Sequence, residues 1–269
     1  MLGRLKAKIR SIVLGNQADQ PRQKSLRTWN KVLRNGKYPH LGFDCEDEAR
    51  GALPVIDDHT MASYERRVTL WQQIRYVDKA GVSGSLVECG TWKGGASGMR
   101  ALAHMAAGTP SRPLHLFDSF EGLPEPDGVK DGDRAVGYSA GRASAQLESI
   151  GQCVGPLEDH QHLMRGLVRY PEELTHYHVG WFQDTLTLET AKNIGEIAVL
   201  RIDGDWYEST KICLDVLFPQ VSDGGIVVFD DYGAWPGCKR AVDEFAEKME
   251  RPPLLNHVDP ATRYWIVAR

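Results

Sequence analysis

Five short apolar runs punctuate the chain, each ending in an acid, and between them the apolar residues change to helical spacing. The runs are residues 85–88, 114–118, 176–184, 199–203 and 224–231. Helical spacing covers Val68, Leu70, Trp71, Ile74 and Val77, then residues 96–107, then Ile212, Leu214, Val216 and Leu217, and last a segment opening at Pro236. Thr60 or Asp58 can cap the first of these helices, which ends near Gly81. Residues 141–153 read as a further helix. Residues 119–140, with Pro124, Pro126 and several glycines, read as a loop long enough to cover a site. Residues 254–258 and 264–268 close the chain as an antiparallel pair. Strands alternating with helices predict an α/β fold: a doubly wound, mostly parallel sheet with that antiparallel pair at its end.

Ahead of this alternation the texture differs. Residues 2–14 have Leu2, Leu5, Ile9 and Val13 spaced for one side of a short helix. Residues 15–57 are polar and broken by Pro21, Gly36, Pro39, Gly42, Gly51 and Pro54, so no core of their own is expected. The expected division is a basic, partly helical extension over residues 1–58 and a catalytic domain over residues 59–269. Residues 1–40 carry ten Lys or Arg against one acid, Asp19, a net +9, which leaves −13 on the rest of a chain whose total is −4. A basic arm on an acidic body suits peripheral contact with an anionic surface, or contact between copies in a homo-oligomer. Nucleic acid is not expected, because stacking aromatics are sparse among those bases. Five cysteines with no C-x-x-C pair point to reduced thiols. No apolar run approaches the roughly 20 residues of a spanning helix, and the first residues are charged too far along for a secretory signal. A cytoplasmic protein is expected.

The chemistry gathers at the strand ends. Asp203 and Asp205 flank Gly204 after one strand, and Asp230 and Asp231 follow the next. Acids at strand-to-helix turns lie at the carboxyl edge of a parallel sheet, where such folds place ligands. If the two strands are neighbours, four carboxylates converge and repel one another until a cation neutralises them. An all-oxygen donor set points to a hard divalent ion, Mg²⁺. The pairs His160/His162 and His176/His178 lack usual metal-site spacings. Glu88 precedes the turn Gly90-Thr-Trp-Lys-Gly94-Gly95, whose glycines let a ligand approach the backbone and the free amides of a helix N-terminus. Its spacing is not the G-x-G-x-x-G of a dinucleotide site. Asp118, at the end of the second run, stands where doubly wound folds accept from ribose hydroxyls.

Several stretches together resemble the Mg²⁺-dependent class I S-adenosylmethionine sugar O-methyltransferases of the macrocin, mycinamicin and novobiocin type, the TylF-like family. They are residues 59–66 (HTMASYER), 87–95 (VECGTWKGG), 117–124 (FDSFEGLP), 180–186 (GWFQDTL), 200–210 (LRIDGDWYEST), 229–233 (FDDYG) and 237–243 (GCKRAVD). The resemblance implies a Rossmann-like sheet and a transferase of natural-product or glycan biosynthesis. It implies S-adenosylmethionine bound with Thr60, Met61, Glu88, Cys89, Gly90, Thr91 and Trp92 around its methionine part. Asp118 would take the ribose, Ser119, Phe120, Glu121 and Gly122 would lie near the adenosine, and Gln183 and Asp184 near the adenine. Asp203, Asp230 and Asp231 match the metal ligands, and Asp205 the base. The acceptor would carry vicinal hydroxyls, on a glycoside, nucleotide sugar or glycan. Residues 141–176 depart from the family pattern. The same metal geometry also serves a catechol, and a non-catalytic subunit of a glycan-assembly complex is the reading from another class.

Overall fold

A computed structural model describes residues 40–108 and 110–269. The helix expected over residues 2–14 lies outside them, as does the basic arm up to Pro39. Strands β1 (Ser85–Cys89), β2 (Leu114–Asp118), β3 (Thr175–Val179), β4 (Ile197–Ile202), β5 (Val221–Phe229), β6 (Asn256–His257) and β7 (Arg263–Ile266) form one sheet in the order β3-β2-β1-β4-β5-β7-β6. The first five are parallel; β7 runs antiparallel to β5 and to β6. Strand order reverses on either side of β1, which opens the ligand crevice of a doubly wound sheet there.

The helices are α1 (Glu46–Ile56), α2 (Tyr64–Ala80), α3 (Gly95–Ala107), α4 (Gly132–Tyr138), α5 (Leu157–Gln161), α6 (Phe182–Thr185), α7 (Leu188–Ile194), α8 (Tyr207–Leu217) and α9 (Pro236–Ala246). Alternation along the buried strands splits the core in two. Leu86, Leu114, Leu116, Val199, Ile226 and Val228 face a layer made by α1, α2 and α3, with Trp71 fully buried in it. Val87, Phe117, Leu200, Ile202, Val227 and Phe229 face α7, α8 and α9. Truncating a side chain such as Trp71 to alanine costs about 3–5 kcal/mol by the cavity it leaves.

Several boundaries differ from those expected of the sequence. Residues 46–56 are not a coreless stretch: Ala49, Ala52, Leu53 and Ile56 of α1 are fully buried in the first layer. The Glu46 carboxylate fastens the preceding chain, accepting from the amides of Leu41 and Gly42 at 2.8 Å and from the Tyr64 hydroxyl at 2.7 Å. Ser63, and neither Thr60 nor Asp58, caps α2, its Oγ accepting from the Arg66 amide, and left-handed Gly81 ends that helix. The expected 141–153 helix is irregular chain, and α4 lies earlier, inside the expected loop. β3 stops at Val179, because Gly180 (φ 137) turns the chain into α6.

Candidate active site

Register brings the chemical residues to one level. Cys89 pairs with Phe117 and with Ile202, and Ile202 with Phe229, so Gly90, Asp118, Asp203 and Asp230 each stand one residue beyond the same rung. Gly90 is left-handed (φ 87), and a Cβ there would lie 1.8 Å from the Asp203 carbonyl oxygen. The tips of β1 and β4 therefore touch, and only glycine fits between them. Asp118 stitches the turn that follows. Its Oδ2 accepts from the amides of Thr91 at 2.6 Å and Trp92 at 3.0 Å, and its Oδ1 from the Phe120 amide at 2.7 Å. Burial raises its pKa in spite of those amides.

Behind the turn runs a buried chain of charges. Glu88, fully buried, does not face the cleft: Arg201 holds its Oε1 at 2.7 Å, while Arg100 and Ser97 both hold its Oε2. Burial alone would raise its pKa, but Arg100 and Arg201 bring it below the ordinary value. The other arm of the Arg201 guanidinium reaches Asp203 at 2.7 Å and Asp230 at 2.8 Å. Arg66, from the first turn of α2, bonds Asp230 and Asp259 at 2.6 Å each. Arg66 and Arg201 are the functional residues that linear reading passes over. The available signals were a lone arginine inside an apolar strand and another in the HTMASYER stretch.

Three of the four expected acids meet. Ligand oxygens of Asp203, Asp205 and Asp231 lie within 4.8 Å of one another. Asp230 sits beside them but is drawn off by Arg66 and Arg201, so the four do not form one group. Asp205 has left-handed backbone (φ 56), and its amide donates to Asp231 Oδ2 at 3.2 Å. Burial first, and then mutual repulsion, pushes Asp203 up to about 6 and Asp205 up to about 8, and Asp231 rises well above the carboxylate range for the same reasons. Asp203 keeps 31% of its side chain open to the cleft, which screens part of that push, and Arg201 opposes it. The donor set is all oxygen.

These residues border one cleft of about 1010 Å³, counting the part open to solvent. Of the expected cofactor contacts, Thr60, Met61, Gly90, Thr91, Trp92, Asp118, Ser119, Gly122 and Gln183 line it. Cys89 and Phe120 are buried in packing, and Glu121 and Asp184 are exposed outside the lining. Leu123, Pro124 and Cys153 roof the acid end.

A profile of the macrocin-O-methyltransferase (TylF) family matches residues 16–266. The chain belongs to that family. Its similarity to named members is substantial: 33% identity over 242 residues, 88% of this chain and 87% of the relative, to the 8-demethyl-8-(2,3-dimethoxy-alpha-L-rhamnosyl)-tetracenomycin-C 4'-O-methyltransferase of Streptomyces olivaceus. It is 37% identical over 209 residues, 77% of this chain and 75% of the relative, to demethyldecarbamoylnovobiocin O-methyltransferase of Streptomyces niveus. Among solved structures it resembles the O-methyltransferase NovP, with a TM-score of 0.69 and 28% identity over 100% of this chain and 99% of that one. This macrocin-type protein is thus an O-methyltransferase, with the S-adenosylmethionine dependence its family implies.

Proposed function

We propose that the enzyme moves the methyl group of S-adenosylmethionine to a sugar hydroxyl, on a glycoside, nucleotide sugar or glycan, with Mg²⁺ held by aspartates at the tips of β4 and β5. One observation carries the reading: the oxygens of Asp203, Asp205 and Asp231 gather in a cleft that the glycine turn also lines. The rhamnosyl substrate in the name of the Streptomyces olivaceus relative supports the acceptor class.

The methionine end of the cofactor would lie between Thr60 and Met61 and the turn Gly90–Trp92. Asp118 Oδ1 carries one amide and keeps a lone pair for a ribose hydroxyl. Ser119 to Gly122 would flank the adenosine, with Gln183 toward the adenine. Oxygen donors of like charge, too crowded to ionise together, suit a hard divalent ion. Asp203 and Asp231 of that group are the proposed ligands, with Asp230, which stands outside it on Arg66 and Arg201, completing the set through its remaining lone pairs. Bound there, the ion supplies Lewis-acid activation of an acceptor hydroxyl. Asp205, whose raised pKa the charge of a cation on its neighbours would bring back down, would accept that hydroxyl's proton as the oxygen–methyl bond forms and the methyl–sulfur bond breaks, leaving S-adenosylhomocysteine. Such base assistance is worth roughly two to four orders of magnitude, and alignment much of the rest. A cytoplasmic, homo-oligomeric enzyme is part of this reading; five free cysteines support a reducing compartment.

The test compares a sugar panel with a phenolic panel, with Mg²⁺ and then with EDTA. Turnover on sugars, abolished by EDTA and by Asp203→Ala and restored to the wild type by Mg²⁺, is expected. Asp205→Asn should bind S-adenosylhomocysteine and Mg²⁺ in calorimetry yet lose kcat. Full turnover in EDTA removes the metal, and turnover confined to phenols moves the acceptor to catechols.

A further inference from the structure

The roof over the acid end is tied to the base through one residue set back from the cleft. Asp131 lies in the covering segment, at the start of α4, and is 2% exposed. Its Oδ1 accepts from the Tyr207 amide at 2.7 Å and its Oδ2 from the Asp127 amide at 2.8 Å. Tyr207 is the first residue of α8, two positions after Asp205, and the N-cap residue of that helix, Trp206, makes no side-chain capping bond. Asp131 therefore caps α8 from another part of the chain, with its negative charge on the helix N-terminus. The fit leaves no slack. A Cβ on Gly237 of α9 would come 1.8 Å from Asp131 Oδ1 and 2.9 Å from the Tyr207 nitrogen. Trp206 is pinned to the same segment, its indole N–H donating to the Pro124 carbonyl at 2.9 Å.

What lies between these anchors is Asp205, a non-glycine residue in left-handed backbone, a conformation that costs about 1–3 kcal/mol and needs its surroundings to impose it. Two carboxylates take the flanking amides: Asp231 that of Asp205 itself and Asp131 that of Tyr207. We propose that Asp131 is a positioning residue for Asp205, fixing the 205–207 turn so that the base faces the acceptor hydroxyl only when the roof is seated. The inference rests on the reading of Asp205 as base. It makes roof and base one assembly: an acceptor enters beneath Leu123, Pro124 and Cys153, and the segment carrying them also holds the carboxylate that fixes the turn of the base.

The experiment measures kcat, acceptor KM and calorimetric affinities for S-adenosylhomocysteine and Mg²⁺ in Asp131→Ala, Asp131→Asn, Gly237→Ala and the control Lys211→Met, which removes an ion pair to Asp215 within α8 and touches neither the roof nor the Asp131 cap. Asp131→Ala should lower kcat by roughly 10- to 100-fold, the scale of a small misplacement of a reacting group, with both affinities within about twofold. Asp131→Asn keeps an oxygen for the Tyr207 amide and should recover most of kcat, whereas Gly237→Ala should lower it and Lys211→Met leave it unchanged. In an Asp205→Asn background Asp131→Ala should cost nothing further, which a merely structural role would not produce. Wild-type kcat in folded Asp131→Ala, or in Gly237→Ala where Asp131→Ala does not fold, overturns the proposal, as does full additivity with Asp205→Asn. Wild-type turnover of Asp205→Asn itself sinks the base assignment instead.

Discussion

Arg201 sets how much negative charge the cleft floor tolerates. One buried guanidinium faces Glu88, Asp203 and Asp230, at the ends of three neighbouring strands. A planar fork with several donors can serve three carboxylates at once, which a lysine ammonium cannot do with the same directions. Removing it leaves Glu88 with Arg100 as its one charged partner and leaves Arg66, bonded to Asp230, to offset the repulsion between Asp203 and Asp230. Arg201→Met is expected to lose roughly 3–5 kcal/mol, the usual cost of stranding a buried charge, read as a drop in the urea midpoint. Arg201→Lys should lose less. A neutral or stabilising Arg201→Met would show that its desolvation cancels its attractions.

The edge strand β3 and its neighbour β2 offer a different case, in which histidines are held neutral. His115 and His176 stack with ring centroids 4.7 Å apart, and a ring nitrogen of His115 lies 3.1 Å from one of His178. Burial, and then the neighbouring His176 and His178, lowers His115 to about 4, and burial lowers His178. The unfolded chain takes up protons near pH 6.5, whereas folded His115 resists down to about 4. Stability is therefore complete above that upper value and falls as the pH drops toward the lower one. His115→Phe should keep the stacking and flatten this decline, measured as urea midpoints across the interval; an unchanged slope would clear His115 of it. The strands were legible because an apolar run that ends in an acid and gives way to helical spacing suits little besides a parallel strand. The glycine turn and the aspartates at the strand tips came with them. What escaped was long-range: Arg66 lies 164 residues from Asp230, and no local pattern announces that pairing. The α4 turn escaped because Gly132 and Gly137 sit near its two ends, and α7 because seven residues carry too little periodicity. α1 was missed because Gly51 and Pro54 read as breakers, while burial of Leu53 and Ile56 outweighs their propensity.

At the scale of the molecule, the cleft floor works against the rest of the fold as the pH rises. Asp203 and Asp205 hold protons up to about 6 and about 8, far above the range in which the unfolded chain releases them. Raised acids stabilise the protonated fold, so their contribution is complete in acid and is lost as the pH climbs through those two values. These windows open at about 4, where unfolded carboxylates titrate, so below about 6.5 they oppose the His115 effect, and only the Asp205 part above that runs free of it. A cation reverses the sign, because it binds only the ionised carboxylates and must displace their protons. Bound ligand adds stability as RT ln(1 + [L]/Kd), about 2.7 kcal/mol at a hundredfold excess over Kd. The gain in melting temperature from a fixed millimolar Mg²⁺ concentration should accordingly be small near pH 6 and larger above pH 8, with EDTA-treated protein as reference. Asp203→Ala should abolish the gain at both. S-adenosylhomocysteine, whose proposed contacts are mainly Asp118 and the glycine turn, should raise the melting temperature with little dependence on pH over the same interval. Equal Mg²⁺ gains at both ends would mean that the aspartates are already ionised without the cation, and that Arg66 and Arg201 alone neutralise the floor.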